Sequence, residues 1–170
     1  EAQVRLPAGV RLAGGVDYDE RHRSVLDIRQ ASWRERNLEL GYRLEARASL
    51  AESLAGALTF VRSKRNGSDY LPANNNAAAD LIDPIHFADR RRDRTRLSLD
   101  WAPTEAWNVQ LLADESRDIY DGRPLGPDIG KARLRSLDST YTLSEDWQLY
   151  GYLTREENYS AQTTLSGANA

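Results

Sequence analysis

Leu38-Glu39-Leu40-Gly41-Tyr42-Arg43-Leu44-Glu45-Ala46-Arg47-Ala48-Ser49 changes polarity at almost every step. Leu38, Leu40, Tyr42, Leu44, Ala46 and Ala48 fall on one side of a period of two. Glu39, Gly41, Arg43, Glu45, Arg47 and Ser49 fall on the other. Successive side chains of a strand point to opposite faces, so the stretch predicts one apolar and one charged face. Wound as a helix, the same residues would scatter both classes around the circumference.

The period recurs along the chain. Thr95, Leu97, Leu99 and Trp101 alternate with Arg94, Arg96, Ser98 and Asp100. Trp107, Val109, Leu111 and Ala113 alternate with Asn108, Gln110, Leu112 and Asp114, broken only at Leu112. Val10 to Tyr18 and Leu137 to Leu143 follow more weakly. Trp147 to Arg155 is strand-like, but Tyr150 and Tyr152 oppose Leu149 and Leu153 and blur its faces. Seven strands are predicted, over about 8–20, 36–49, 54–65, 93–102, 107–120, 132–143 and 147–160. Residues 25–33 are an eighth strand or the upper part of the second.

Turn formers at Asn66-Gly67-Ser68, Asn74-Asn75-Asn76, Asp121-Gly122 and Gly126-Pro127-Asp128 mark long connections near 21–35, 66–92 and 121–131. The connections at 50–53, 102–106 and 144–146 are short. This alternation predicts an all-β, antiparallel up-and-down meander with one tight end and one loop-rich end, residues 1–170 forming a single unit. A hairpin also repeats, since Leu99–Trp107 matches Ser139–Trp147 at an offset of 40 residues.

Composition closes off other classes. No apolar run approaches the roughly 20 residues of a membrane-spanning helix. Without Cys there is no disulfide framework, no CxxC metal knuckle and no CxxCH haem-attachment site. A balance of 23 Lys and Arg against 26 Asp and Glu argues against a nucleic-acid binder. His22 and His86 stand apart, so no metal centre is expected. The acidic run from Asp114 to Asp121 lacks calcium-loop spacing and reads as strand-end charge in solvent. Arg90-Arg91-Arg92 with Arg94 and Arg96 either holds phosphate or a partner's acidic groups, or is a solvated strand end balanced by Asp89 and Asp93. No nucleophile–base set or Gly-rich phosphate loop stands out, and no enzyme is expected.

Two architectures fit an alternating meander. In a soluble sheet the apolar face packs inward; in an outer-membrane barrel it meets lipid and the polar face lines the lumen. The predicted strands exceed the roughly 5–6 residues common in soluble sheets and suffice for the roughly 9–11 that cross a bilayer. Trp101, Trp107, Tyr141 and Trp147 gather beside the tight turns, where an interfacial girdle sits. In the lipid reading Leu38, Leu40, Leu44, Leu97, Leu99, Val109 and Leu111 face the bilayer. Arg43, Glu45, Arg47, Arg94, Arg96, Asp100, Asn108, Gln110 and Asp114 then line the lumen. Bacterial barrels have even strand numbers. Either an eighth strand closes a small barrel acting as pore, adhesin or receptor, or the chain is an arc of a larger one. The absence of Met and of a recognisable closing strand after Asn158 leads to the arc as the expectation. A soluble β-sheet binding module is the third reading.

Ala88 to Glu105, with its Arg-rich strand start and Leu99-Asp100-Trp101-Ala102-Pro103-Thr104-Glu105 turn, resembles the MtrB/PioB-type, decahaem-associated outer-membrane porins. So does Tyr141 to Tyr152, and Lys64–Tyr70 and Glu115–Asp118 are similar in style. The likeness covers residues 36–160 and lies in repeated hairpins. It implies a large barrel in the bacterial outer membrane that sheathes a multihaem c-type cytochrome, whose haems carry electrons across. It also implies that Arg43, Arg47, Arg94, Arg96 and Asp100 contribute to a charged wall around that partner. This chain would bind no haem itself, for it has no CxxCH and only His22 and His86 as axial-ligand candidates.

Overall fold

The alternation becomes one antiparallel sheet of eight strands paired in chain order. They are β1 (Ala2–Arg5), β2 (Arg11–His22), β3 (Arg36–Ala51), β4 (Leu54–Gly67), β5 (Asp89–Thr104), β6 (Trp107–Asp121), β7 (Gly126–Thr142) and β8 (Gln148–Thr163). The computed structural model describes residues 2–25, 28–74, 77–122 and 124–164. Among them the only helical elements are two 3-10 turns, Pro7–Gly9 and Ala79–Leu81. No helix there is long and apolar enough to cross a membrane, which leaves spanning by strands untouched. β1 and β8 lie at opposite edges, so the sheet is open and has the form of an arc of a barrel.

Several boundaries differ from expectation for identifiable reasons. Residues 8–10 belong to the turn around Pro7–Gly9 and the first long strand starts at Arg11. The additional strand is β1, too short to show a period, rather than residues 25–33. Of that latter segment, 26 and 27 lie outside the described residues, and Trp33 makes only an isolated bridge to Leu71. β5 begins at Asp89, before the expected 93, because the charges on both faces of Asp89–Arg92 hide the period. β7 begins at Gly126, and this shortens the expected long connection 121–131 to 122–125. Gly126 has φ +131, a conformation reserved for glycine, and an added Cβ would lie 2.7 Å from the Asp83 carbonyl oxygen.

Register decides the faces, because directly paired residues share a side of the sheet. Leu44 pairs with Gly14 and Phe60, and Phe60 with Thr95. Leu99 pairs with Gly56 and Leu111, Leu111 with Leu137, and Leu137 with Leu153. One apolar side thus runs continuously across the strands, and a second, ionic side backs it. Bulges between Ser49 and Ala51, Trp101 and Thr104, and Pro127 and Ile129 adjust the strand ends.

Among the described residues the buried apolar ones are Ala73, Ala79, Phe87, Ala88 and Leu125, and none of them lies in a strand. They belong to a layer made by the described parts of connections 23–35 and 68–88 with the β6–β7 turn. Trp33 and Leu71 exchange backbone hydrogen bonds of 3.0 and 2.7 Å, and Trp33 meets Phe87 edge-on at 5.0 Å. Asp83 accepts from the Tyr70 hydroxyl, and its backbone N–H donates to Leu125.

Candidate functional site

On the ionic face, β5 carries Arg90, Arg92, Arg94 and Arg96 at alternate positions. Each meets a carboxylate from another strand. Arg92 donates to both oxygens of Asp118 at 2.6 and 2.7 Å. Arg94 and Arg96 share Asp114, at 2.7 Å each. Arg90 donates to both oxygens of Glu39 at 2.8 and 3.0 Å. Two-point guanidinium–carboxylate contacts fix both partners in orientation. The ladder is therefore a preset polar wall rather than a set of free cations.

This corrects two sequence expectations. Arg90 to Arg96 is not one basic cluster, because Arg91 points to the apolar side and pairs with Asp121 at 3.2 Å. Nor are the balancing acids the neighbours in sequence: Asp89 holds Arg34 and Asp93 holds Arg62. Within the run Asp114–Asp121 the solvated reading holds for Glu115 and Asp121, which are exposed, but not for Asp114 and Asp118, which are 9% and 8% exposed. Glu39 is a member of the ionic face as the opening alternation expects, whereas Asp118 lies beyond the alternation read along 107–114. Its even spacing from Asp114 is the signal in the sequence that points to it.

All nine residues expected on the polar side share that face. Arg43, Glu45 and Arg47 stand on β3, Arg94, Arg96 and Asp100 on β5, and Asn108, Gln110 and Asp114 on β6. Leu112 joins them, between Ser98 and Ser136. The ambiguity on β8 also resolves. Leu149 and Leu153 lie on the apolar side, while Tyr150 and Tyr152 lie on the ionic side, Tyr150 donating to Asp138 at 2.8 Å.

Leu38, Leu40, Leu44, Leu97, Leu99, Val109 and Leu111 share the opposite face. Both faces are open: on the apolar side Leu44 is 57% and Leu153 71% exposed, and on the ionic side Arg43, Arg47, Arg94 and Arg96 are exposed while Asp114 and Asp118 are buried. An apolar side left this exposed is not the packed core face of a water-soluble sheet. At the tight end, Trp101 and Trp107 contact each other at 5.9 Å, Tyr141 stands across from Trp107, and the Trp107 indole N–H donates to Ser139 Oγ at 2.9 Å. Trp147 sits in the β7–β8 turn, exposed.

The loop layer leans over the ionic face at the loop-rich end. Asn37 Nδ2 donates to the Phe87 carbonyl, and Arg65 donates to the carbonyls of Ala88 and Ile85. His86 borders a cleft there with Asp19, Arg21, Arg23 and Glu39. His22 pairs with Glu20 at 2.8 Å. Among the described residues no group of His and carboxylates has the makings of a metal site. The Tyr70 phenol in this layer is pushed up by burial and by its hydrogen bond to Asp83.

A family model described as "Putative outer membrane beta-barrel porin, MtrB/PioB" matches residues 1–170, the whole chain. No curated protein matches the chain.

Proposed function

The chain belongs to the MtrB/PioB family of outer-membrane β-barrel porins, and on that premise we propose that its sheet is a wall of a bacterial outer-membrane barrel sheathing a multihaem c-type cytochrome. The apolar side meets lipid and the ionic side lines the lumen. Any haem would belong to the partner.

The observation that carries the membrane reading is the slant of the apolar band. Leu38 on the same face stands between polar Glu20 and Asn66, outside the band, whose loop-side edge lies at Leu40 on β3, Phe60 on β4, Leu97 on β5, Ala113 on β6, Leu137 on β7 and Leu153 on β8. Pairing runs from Leu40 through Lys64, Arg91, Ile119 and Ile129 to Ala161, which is eight residues beyond Leu153 on β8. At roughly 3.4 Å per residue and 4.8 Å per strand, the edge climbs about 27 Å across about 24 Å. A level membrane edge then requires strands tilted by about 45–50°, close to the roughly 35–45° of outer-membrane barrels. On β3 the band from Leu40 to Leu50 spans about 34 Å of strand, or about 24 Å of depth at that tilt. Barrel bands are roughly 25 Å tall.

This band speaks against the soluble module. A small barrel closed within the chain is disfavoured because β1 and β8 lie at opposite edges of the sheet and do not pair with each other. Unpaired backbone in lipid costs several kcal/mol per group. The cytochrome partner rests on the family resemblance and on the ionic wall, whose paired Arg and Asp side chains can hydrogen-bond a protein surface without a large net field.

The test is isolation of the full-length barrel from outer membranes, followed by haem staining and planar-bilayer conductance. A stoichiometric multihaem protein that blocks ion flow is the expected result. An open, ion-conducting pore with no haem protein attached would replace the sheath by an ordinary porin.

A further inference from the structure

Just above the apolar band, the lipid-facing side of β6–β8 carries Arg117, Lys131, Arg133, Arg135 and Arg155 against two carboxylates, Glu115 and Glu157. Arg117 stands directly across from Lys131, and Arg135 directly across from Arg155. Like charges in opposed cross-strand positions repel. Glu115 is engaged by Arg133 at 3.1 Å and Glu157 by Arg155. Asp93, opposite Arg117, is held by Arg62 at 2.7 Å. Among the described residues Arg117, Lys131 and Arg135 are left without a carboxylate in ion-pair range, and all three are exposed. Lys131 lies 5.7 Å from the centre of the exposed Tyr159 ring.

The tight-turn rim has the opposite character. The turns after β3, β5 and β7 contain Glu52, Glu105, Glu145 and Asp146 and no Lys or Arg. The two borders of the band therefore differ in charge. In outer-membrane barrels the longer loops are extracellular.

We propose that Arg117, Lys131, Arg133, Arg135 and Arg155 bind the phosphate groups of a phosphorylated glycolipid in the outer leaflet. The patch spans three strands, about 10 Å, and about 14 Å along β7, which is room for more than one phosphate. Guanidinium groups suit phosphate oxygens in forked geometry. Directly beneath lie Leu111, Leu137 and Leu153, a surface for the acyl chains of the same molecule. That continuity of charge above and apolar surface below favours a lipid over free phosphate. The proposal rests on the membrane reading above.

The test uses the full-length barrel and three probes: bisphosphorylated lipid A, the same lipid with its phosphates removed, and inorganic phosphate. Native mass spectrometry counts retained lipid and thermal unfolding gives the midpoint shift. Bisphosphorylated lipid A is expected to be retained and to raise the midpoint, the other two not. Lys131→Gln combined with Arg135→Gln should lower retention at least tenfold, while Arg11→Gln, an exposed residue on the other face, leaves it unchanged. Equal retention of the dephosphorylated lipid, or an unaltered double variant, overturns the phosphate site alone. Failure of the full-length chain to insert into any bilayer overturns the membrane reading as well.

Discussion

Leu111 and Leu112 are the same residue one step apart, and the sheet gives them opposite surroundings. Leu111 lies in the row Leu99–Leu111–Leu137–Leu153, and Leu112 between Ser98 and Ser136. Along β6, Trp107 lies four residues toward the turn and Glu115 four toward the loops. Each is about 14 Å of strand from Leu111, or about 10 Å of depth at 45° tilt. Leu111 is thus near the bilayer midplane, where an Arg on the lipid face costs about 2–4 kcal/mol. That is roughly 30- to 1000-fold in the folding equilibrium. Leu112→Arg projects into a face already furnished with carboxylates and should cost less than about 1 kcal/mol. Ala113→Arg, at the band's upper edge, should fall to about 0–1 kcal/mol. The assay is reversible denaturant unfolding of the full-length barrel in lipid vesicles, followed by tryptophan fluorescence. Equal costs at 111 and 112, or a greater cost at 112, would refute the face assignment.

Asp114→Asn leaves Arg94 and Arg96 without their shared carboxylate. Because both arginines are partly solvated, about 1–2 kcal/mol of stability should be lost, and in the barrel stripped of any haem protein the reversal potential in a salt gradient should move toward anion preference. Tyr70→Phe removes the hydrogen bond to Asp83 and should cost about 1 kcal/mol, seen as faster proteolysis of the 68–88 connection. The raised Tyr70 pKa also predicts an alkaline effect. Its contribution to loop packing is complete below the unfolded tyrosine pKa of about 10 and is lost as pH rises through the higher folded value. Proteolysis at graded alkaline pH should show that loss in the parent and not in Tyr70→Phe. Gly126→Ala forces a side chain into a positive-φ position against the Asp83 backbone, and hydrogen exchange should report loosening of the β6–β7 turn worth about 1–3 kcal/mol.

Strand identity was legible wherever one face alone was charged, as along Leu38–Ser49. It faded where both faces carry charge, as at Asp89–Arg92, or where turn-forming residues enter a strand, as at Gly126-Pro127. The two faces could be sorted strand by strand, down to all nine polar and seven apolar candidates. Pairing partners could not. The acids that neutralise the β5 arginines are 18 to 51 residues away, and only register brings Asp114, Asp118 and Glu39 to them. A cross-strand ion pair has no signature in local order, so neighbours such as Asp89 and Asp93 look like partners and are not. The loop layer was hidden for a related reason. Its apolar residues are few, dispersed and without period, and they find one another only after the strands have set the loop ends side by side.

That layer gives the barrel wall a direction. Among the described residues it reaches over the ionic face at the loop-rich end, through Asn37 and Arg65. For the guest proposed above, this would make the turn side the way in and the loop layer an end-stop. How far it travels would then be set by the wall and not by the guest, in the way a socket fixes the depth of a plug.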